Sequence, residues 1–185
     1  MRPLGVCCAH ACCIGDARVT AELARPATTA PLDGAPGDLA RIVIAWAGFG
    51  ELPALARLQQ REFANHAGYG LLTLTTLWAA PRVMLLVARA GQAPAGMIIA
   101  DEKLGITPHG RILNICVALE YRRCGLGREL MLTAEALLPM RRMILMVDQQ
   151  NAPAISLYES LGYHNVGLRP NYYGRGRHAL VMQKG

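Results

Sequence analysis

What most limits how this chain can fold is a set of short, unbroken apolar segments between residues 83 and 147. Val83-Met-Leu-Leu-Val-Ala88, Gly96-Met-Ile-Ile-Ala100 and Met143-Ile-Leu-Met-Val147 have the length of strands rather than helices, and they lack polar alternation. Strands of that kind are buried on both faces. The chain must therefore build a sheet and supply other elements to cover it. Glu51–Phe63 carries Leu52, Leu55, Leu58 and Phe63 at roughly helical spacing, and Leu71, Leu74 and Leu77 recur at every third position before Pro81. Each pattern predicts a helix.

Arg41–Trp46 reads as a first strand, Ala90-Gly-Gln-Ala-Pro-Ala95 as the turn of a hairpin, and Arg111–Leu119 as a further strand. Leu130, Met131, Ala134, Leu137 and Leu138 share the face of a helix ended by Pro139. A shorter helix follows Met143–Val147, with Asn151 as N-cap, Pro153 in the first turn, Ile155, Tyr158 and Leu161 facing inward, and Gly162 at C′. Two last strands are expected at Tyr163–Leu168 and His178–Met182. The order is strand, two helices, three strands, helix, strand, helix, two strands. It predicts a mixed-sheet domain of the α/β or α+β class over residues 41–185.

Residues 1–40 contain no Phe, Trp or Tyr, and 17 of the 40 are Ala, Pro or Gly. Such a segment buries too little apolar surface to offset the entropy of ordering it, so an extension without fixed structure is expected. Four of the six cysteines lie within Cys7–Cys13, without a second pair along the chain to close a zinc site. No metal is expected. No segment reaches the ~18 apolar residues of a spanning helix, so no membrane partner is expected either.

The net charge of +6 gathers at one end, for Lys103–Gly185 holds 11 basic and 5 acidic residues. Such a surplus calls for an anionic partner: nucleic acid, a membrane surface or a phosphorylated cofactor. A strand that runs into Arg122-Arg-Cys-Gly-Leu-Gly127 and then into a helix builds an anion site. Glycines let the backbone approach a ligand, and the free N–H groups of the first helical turn point at it. The loop has too few glycines for a dinucleotide fingerprint and no Gly-Lys-Ser/Thr for a nucleoside triphosphate.

Ile115-Cys-Val-Ala-Leu-Glu-Tyr-Arg-Arg-Cys-Gly-Leu-Gly-Arg128, followed by Asn151-Ala-Pro-Ala-Ile-Ser-Leu-Tyr-Glu-Ser-Leu-Gly-Tyr163, resembles the GNAT superfamily of acetyl-CoA-dependent N-acyltransferases. The first run matches its Arg/Gln-x-x-Gly-x-Gly/Ala loop, the second its Asn-x-x-Ala-x-x-x-Tyr-x-x-x-Gly-Phe/Tyr helix. With Arg169-Pro-Asn-Tyr-Tyr173, the likeness is greatest to the branch that acetylates ribosomal protein alanine. It implies a GNAT-like fold, with a central mixed, mostly antiparallel sheet of six to seven strands and about four helices. It also implies acetyl-CoA as cofactor and a peptide or protein N-terminus as acceptor, in a cytoplasmic protein that is a monomer or weak dimer and binds no nucleic acid directly.

By the same resemblance, the backbone of Ile115, Cys116 and Val117 takes the pantetheine arm. Arg122, Arg123, Cys124, Gly125, Leu126, Gly127 and Arg128 bind the pyrophosphate, and Asn151 touches the cofactor while capping its helix. Modification of Cys116 or Cys124 is then expected to impair cofactor binding. Tyr158 matches the general acid that protonates the departing thiolate, a role suited to a phenol, which keeps its proton at neutral pH. Tyr172 and Tyr173 match the aromatic pair that closes over a substrate peptide.

One family residue is missing. The glutamate expected five positions before Asn151 is Met146, whose thioether cannot take a proton. The base is left to Asp148 on the same strand face, to Glu102 or His109 elsewhere, or to no residue, because an α-amine of pKa about 7.7–8.0 is already partly neutral. A small-molecule amine acetyltransferase and a catalytically silent acyl-CoA-binding module are the competing readings.

Overall fold

The computed structural model describes residues 42–63 and 68–185. The extension expected over residues 1–40 lies outside the described residues. The elements in chain order are β1 (Val43–Trp46), a 3-10 turn (Phe49–Glu51), α1 (Leu52–Glu62), α2 (Leu71–Ala79), β2 (Val83–Ala90), β3 (Ala93–Lys103) and β4 (His109–Val117). A second 3-10 turn (Leu119–Tyr121) leads to α3 (Leu126–Leu137), β5 (Met143–Asp148), α4 (Ala152–Ser160), β6 (His164–Arg169) and β7 (Ala179–Lys184). The seven strands form one mixed sheet in the order β1-β2-β3-β4-β5-β7-β6. Order and type of the elements agree with the sequence reading.

The unbroken apolar runs do what their pattern requires. Along β2, Met84, Leu86 and Ala88 pack with α3 and α4 residues on one face, while Leu85 and Val87 pack with Leu52, Leu55 and Leu74 from α1 and α2 on the other. In β3, Ile98 and Ala100 take the first face and Met97 and Ile99 the second. Strand periodicity thus divides each run between two cores.

Every strand pairing is antiparallel except that of β4 with β5. That parallel pairing covers only Gly110–Ile112 against Met143–Leu145. Beyond it, β4 stays on β3 through Val117 and β5 stays on β7 through Asp148, so the two strands part. A bulge accompanies the parting: Ile99 faces Asn114 and Ala100 faces Ile112, which leaves Leu113 as the extra residue. Among the described residues, the edge of β4 turned toward β5 has no strand partner from Leu113 onward.

Leu130 on α3 is fully buried between the sheet and its neighbours, whereas Leu132 is 40% exposed. Leu130→Ala is expected to lower stability by about 2–5 kcal/mol, and Leu132→Ala by about 0.5 kcal/mol or less, measured as urea unfolding free energies.

Candidate functional site

The parting of β4 and β5 opens a cleft of about 760 Å³. One wall is Leu113, Asn114 and Ile115 of β4, and the other is Met146, Val147 and Asp148 of β5. Asn151 and Tyr158 close it on the α4 side. Phe63 and Tyr69, with Tyr172, Tyr173 and Arg177 from the β6–β7 loop, close it on the opposite side.

At the α3 side, Arg123 (φ 65°) and Gly125 (φ 85°) both adopt left-handed backbone, which folds the loop into the start of the helix. Gly125 is the N-cap and offers no side-chain cap. The N–H of Glu129 is the first to bond back, to the Gly125 carbonyl at 3.1 Å, so those of Leu126, Gly127 and Arg128 have no helical acceptor. A Cβ on Gly127 would stand 3.3 Å from Leu157 and 3.9 Å from Val117, so this helix end lies close against β4 and α4.

The side chains of the same loop are committed elsewhere. Arg122 donates from Nε to the Val117 carbonyl at 3.1 Å and from Nη2 to Glu62 at 2.5 Å. Arg128 donates to Ser160 Oγ at 2.6 Å, and the Cys124 thiol to the Tyr121 carbonyl at 2.8 Å. The loop therefore offers a ligand its backbone, with the Arg123 side chain unpartnered among the described residues. None of residues 122–128 lines the cleft itself. Cys116 points into the α1/α2 core, 2% exposed, and burial pushes its thiol up to about 12. Its backbone pairs with Met97 of β3, so the β4 groups turned toward the cleft are those of its neighbours Ile115 and Val117, and its thiol is reached only if the α1/α2 core opens.

Asn151 Oδ1 accepts from the Ala154 N–H at 3.3 Å, the expected N-cap. Gly162 (φ 90°) ends α4 in the left-handed conformation that only glycine adopts readily. Between them Tyr158 is 5% exposed. Its hydroxyl has no hydrogen-bond partner among the described residues. Burial, and then the nearby Tyr173, raise its pKa well above that of a free phenol. At neutral pH it is a proton donor without an acceptor.

The β6–β7 loop is held against the cleft by side-chain bonds. The Tyr173 hydroxyl donates to the Met146 carbonyl at 3.1 Å, and Tyr172 meets the Tyr173 ring edge-on at 5.0 Å. Arg177 lies 5.9 Å from the Tyr173 ring and donates to Asp148 Oδ2 from Nε at 3.0 Å and Nη2 at 2.5 Å. Asp148 Oδ1 accepts from the Gln150 N–H at 3.0 Å. That backbone bond, and then Arg177, hold the carboxyl below its usual range.

Of the base candidates, Asp148 is thus a committed carboxylate, a poor proton acceptor. Glu102 and His109 sit where β3 and β4 begin their pairing and do not line the cleft. Asp148 is the one carboxylate among the described residues that line it.

Sequence reasoning missed Gln59, Tyr69, Arg111 and Asn114. Gln59 is fully buried. Its Nε2 donates to Asn114 Oδ1 at 2.6 Å, and its Oε1 accepts from the Tyr69 N–H at 3.4 Å. A signal existed: Gln59 stands one helical turn after Leu55, on the apolar stripe of α1.

A mixed sheet opened between two parallel strands, with a bare helix end beside it and an unpartnered tyrosine within, defines an acyltransferase-type α/β domain. The chain belongs to the acetyltransferase (GNAT) family, whose sequence model matches residues 52–163. Mycothiol acetyltransferase of Acidothermus cellulolyticus is 33% identical over 132 residues, 60% of this chain and 40% of that protein. The [ribosomal protein bS18]-alanine N-acetyltransferase of Escherichia coli is 43% identical over 65 residues, 34% of this chain and 44% of that protein. The matches therefore span less than half of either relative. The crystal structure of the ribosomal-protein-S18-alanine N-acetyltransferase from Escherichia coli superposes with a TM-score of 0.65 at 27% identity, covering 77% of this chain and 92% of that one.

The Asp148–Arg177 clasp yields a prediction. A carboxyl whose folded pKa is depressed contributes stability that is present above its unfolded pKa of about 3.9 and lost as pH falls through the lower folded value. The clasp is thus expected to stay closed throughout the neutral and mildly acidic range. Asp148→Asn should open it at neutral pH, read as several-fold faster tryptic cleavage after Arg175 and Arg177.

Proposed function

We propose that the protein transfers an acetyl group from acetyl-CoA to a primary amine, with the N-terminal α-amine of a peptide or protein as acceptor. The observation that carries this is Tyr158, buried and unpartnered in a cleft with a bare strand edge on one side and a tyrosine-lined loop on the other. The alanine N-acetyltransferase relative supports the α-amine. We place this activity in the cytoplasm and assign no membrane role; among the described residues, no helix is long and apolar enough to cross a membrane.

The residues present fit the cofactor. The outward edge of β4 around Ile115 and Val117, where the Val117 carbonyl also accepts from Arg122, would suit an amide-bearing pantetheine arm lying along it as an added strand. The N–H groups of residues 123–128 suit a pyrophosphate at a helix N-terminus. Acetyl-CoA, when bound, supplies the acetyl group as an activated thioester. Tyr158 Oη holds a proton at neutral pH and would be the group to supply it to a thiolate leaving group. Tyr172 and Tyr173 supply stiff aromatic area for the acceptor chain.

Among the described residues that line the cleft, no side chain is suited to take a proton from the amine, so we infer that the acceptor arrives neutral. An α-amine of pKa about 7.7–8.0 is neutral in roughly a tenth of molecules at pH 7, and a lysine of pKa about 10.4 in far fewer. On this ground the site favours α-amines over lysine side chains. A small-molecule amine is the second reading, favoured by the mycothiol acetyltransferase relative.

Two outcomes are expected. Tyr158→Phe should lower kcat by about 10²–10⁴-fold, the range of a lost general acid, with acetyl-CoA affinity unchanged by calorimetry. The pH–rate profile should rise through the pKa of the acceptor amine and move with it when peptides of different amine pKa are compared by thiol release. A profile fixed across acceptors would assign the proton to an enzyme group.

A further inference from the structure

We propose that Arg111 determines acceptor specificity by binding a carboxylate carried on the same molecule as the reacting amine. This rests on the acyl-transfer reading above.

Arg111 lines the cleft from β4, where Tyr69 and Tyr172 also line it. Its guanidinium is fixed by a two-point contact with Asp101, Nε to Oδ1 at 3.1 Å and Nη2 to Oδ2 at 2.8 Å. Asp101 is 5% exposed, and Lys103 Nζ also approaches its Oδ2, at 3.1 Å. One carboxylate therefore faces two cations, and the cluster keeps a surplus positive charge. The other charged pair lining the cleft, Asp148 with Arg177, is balanced. The described charges that line the cleft thus sum to a positive surplus, and Arg111 carries it.

The geometry suits recognition of a planar anion. Asp101 occupies one edge of the guanidinium, and the Nη1 amino group has no partner among the described residues. The side chain is 34% exposed, so that group is accessible while the plane is held still. A guanidinium already oriented loses little freedom on binding a second carboxylate. Tyr69 and Tyr172 stand near enough to feel the charge of Arg111, and both line the cleft beside it. An arginine needed only to neutralise Asp101 has no reason to stand in the cleft, since Lys103 reaches the same oxygen from outside it.

The carboxylate has two sources, an acidic side chain at the second residue of a peptide or the terminal carboxylate of a short acceptor. Kinetics with Ala-Glu-Ala-Ala-amide, Ala-Gln-Ala-Ala-amide and Ala-Lys-Ala-Ala-amide test the first. Ala-Gln as free acid and as amide tests the second. Wild-type kcat/KM is expected to favour the carboxylate member of at least one comparison by on the order of 10-fold or more, as for a charge-assisted bond. Arg111→Gln should bring that ratio toward one. Arg111→Lys, which keeps a cation paired with Asp101 but loses the planar guanidinium, should lower the ratio several-fold; it covers the case in which Arg111→Gln fails to fold, and an unchanged ratio in it overturns the inference. Acetylation of the uncharged peptides with both wild-type ratios near one overturns the inference and leaves the acyl-transfer reading standing. A ratio that survives Arg111→Gln also overturns it. No thiol release with any amine overturns both.

Discussion

Everything in this molecule that bears on function depends on one parallel pairing, three residues long, in an otherwise antiparallel sheet. Because β4 and β5 run in the same direction, the chain must cross over between them, and α3 makes that crossing. The crossing brings the N-terminus of α3 to the upper end of β4. Because the pairing stops at Ile112 and Leu145, the strands diverge where that helix begins, leaving a strand edge with free backbone groups inside the protein. An unpaired edge there is costly unless a ligand or water completes it. The same geometry thus supplies the bare helix N-terminus, the strand edge and the cleft.

The second constraint is the fate of protons. Met146 stands where a glutamate would be expected, and Asp148, one pleat further on, is held by Arg177 and the Gln150 N–H. That clasp ties the tyrosine loop to the turn that delivers Asn151 and α4. A carboxylate engaged in this way orders the site and gives up the role of base. Tyr158 is opposite in character, buried without a partner and held protonated. The two groups thus differ in character: Tyr158 keeps its proton and can offer it in a hydrogen bond, whereas the carboxylate of Asp148 is already engaged, and on the proposed reading deprotonation is left to the acceptor amine itself.

Much of this was legible in the sequence because burial on both faces leaves a plain mark. The runs at Val83–Ala88 and Met143–Val147, and the Asn151 to Gly162 helix with its cap and stop, fell where their patterns put them. The miss was at polar residues in buried places. β3 runs on to Lys103, past the apolar run that ended at Ala100, because Asp101 is carried inward by Arg111 and Lys103. Arg122 looked free for an anion and instead grips Glu62, sixty residues away in the chain. Pairings of that kind are set by tertiary contact, and no local pattern announces them.

The central claim is that the free edge of β4 and the start of α3 hold the cofactor. Amide hydrogen exchange of the full chain, with and without acetyl-CoA, tests it directly, since amides that gain a partner exchange more slowly. The account predicts slowed exchange in segments covering residues 113–118 and 123–128, with β2 and the Met97–Ala100 stretch of β3 unchanged. Protection confined to other segments, with these two untouched, would contradict it.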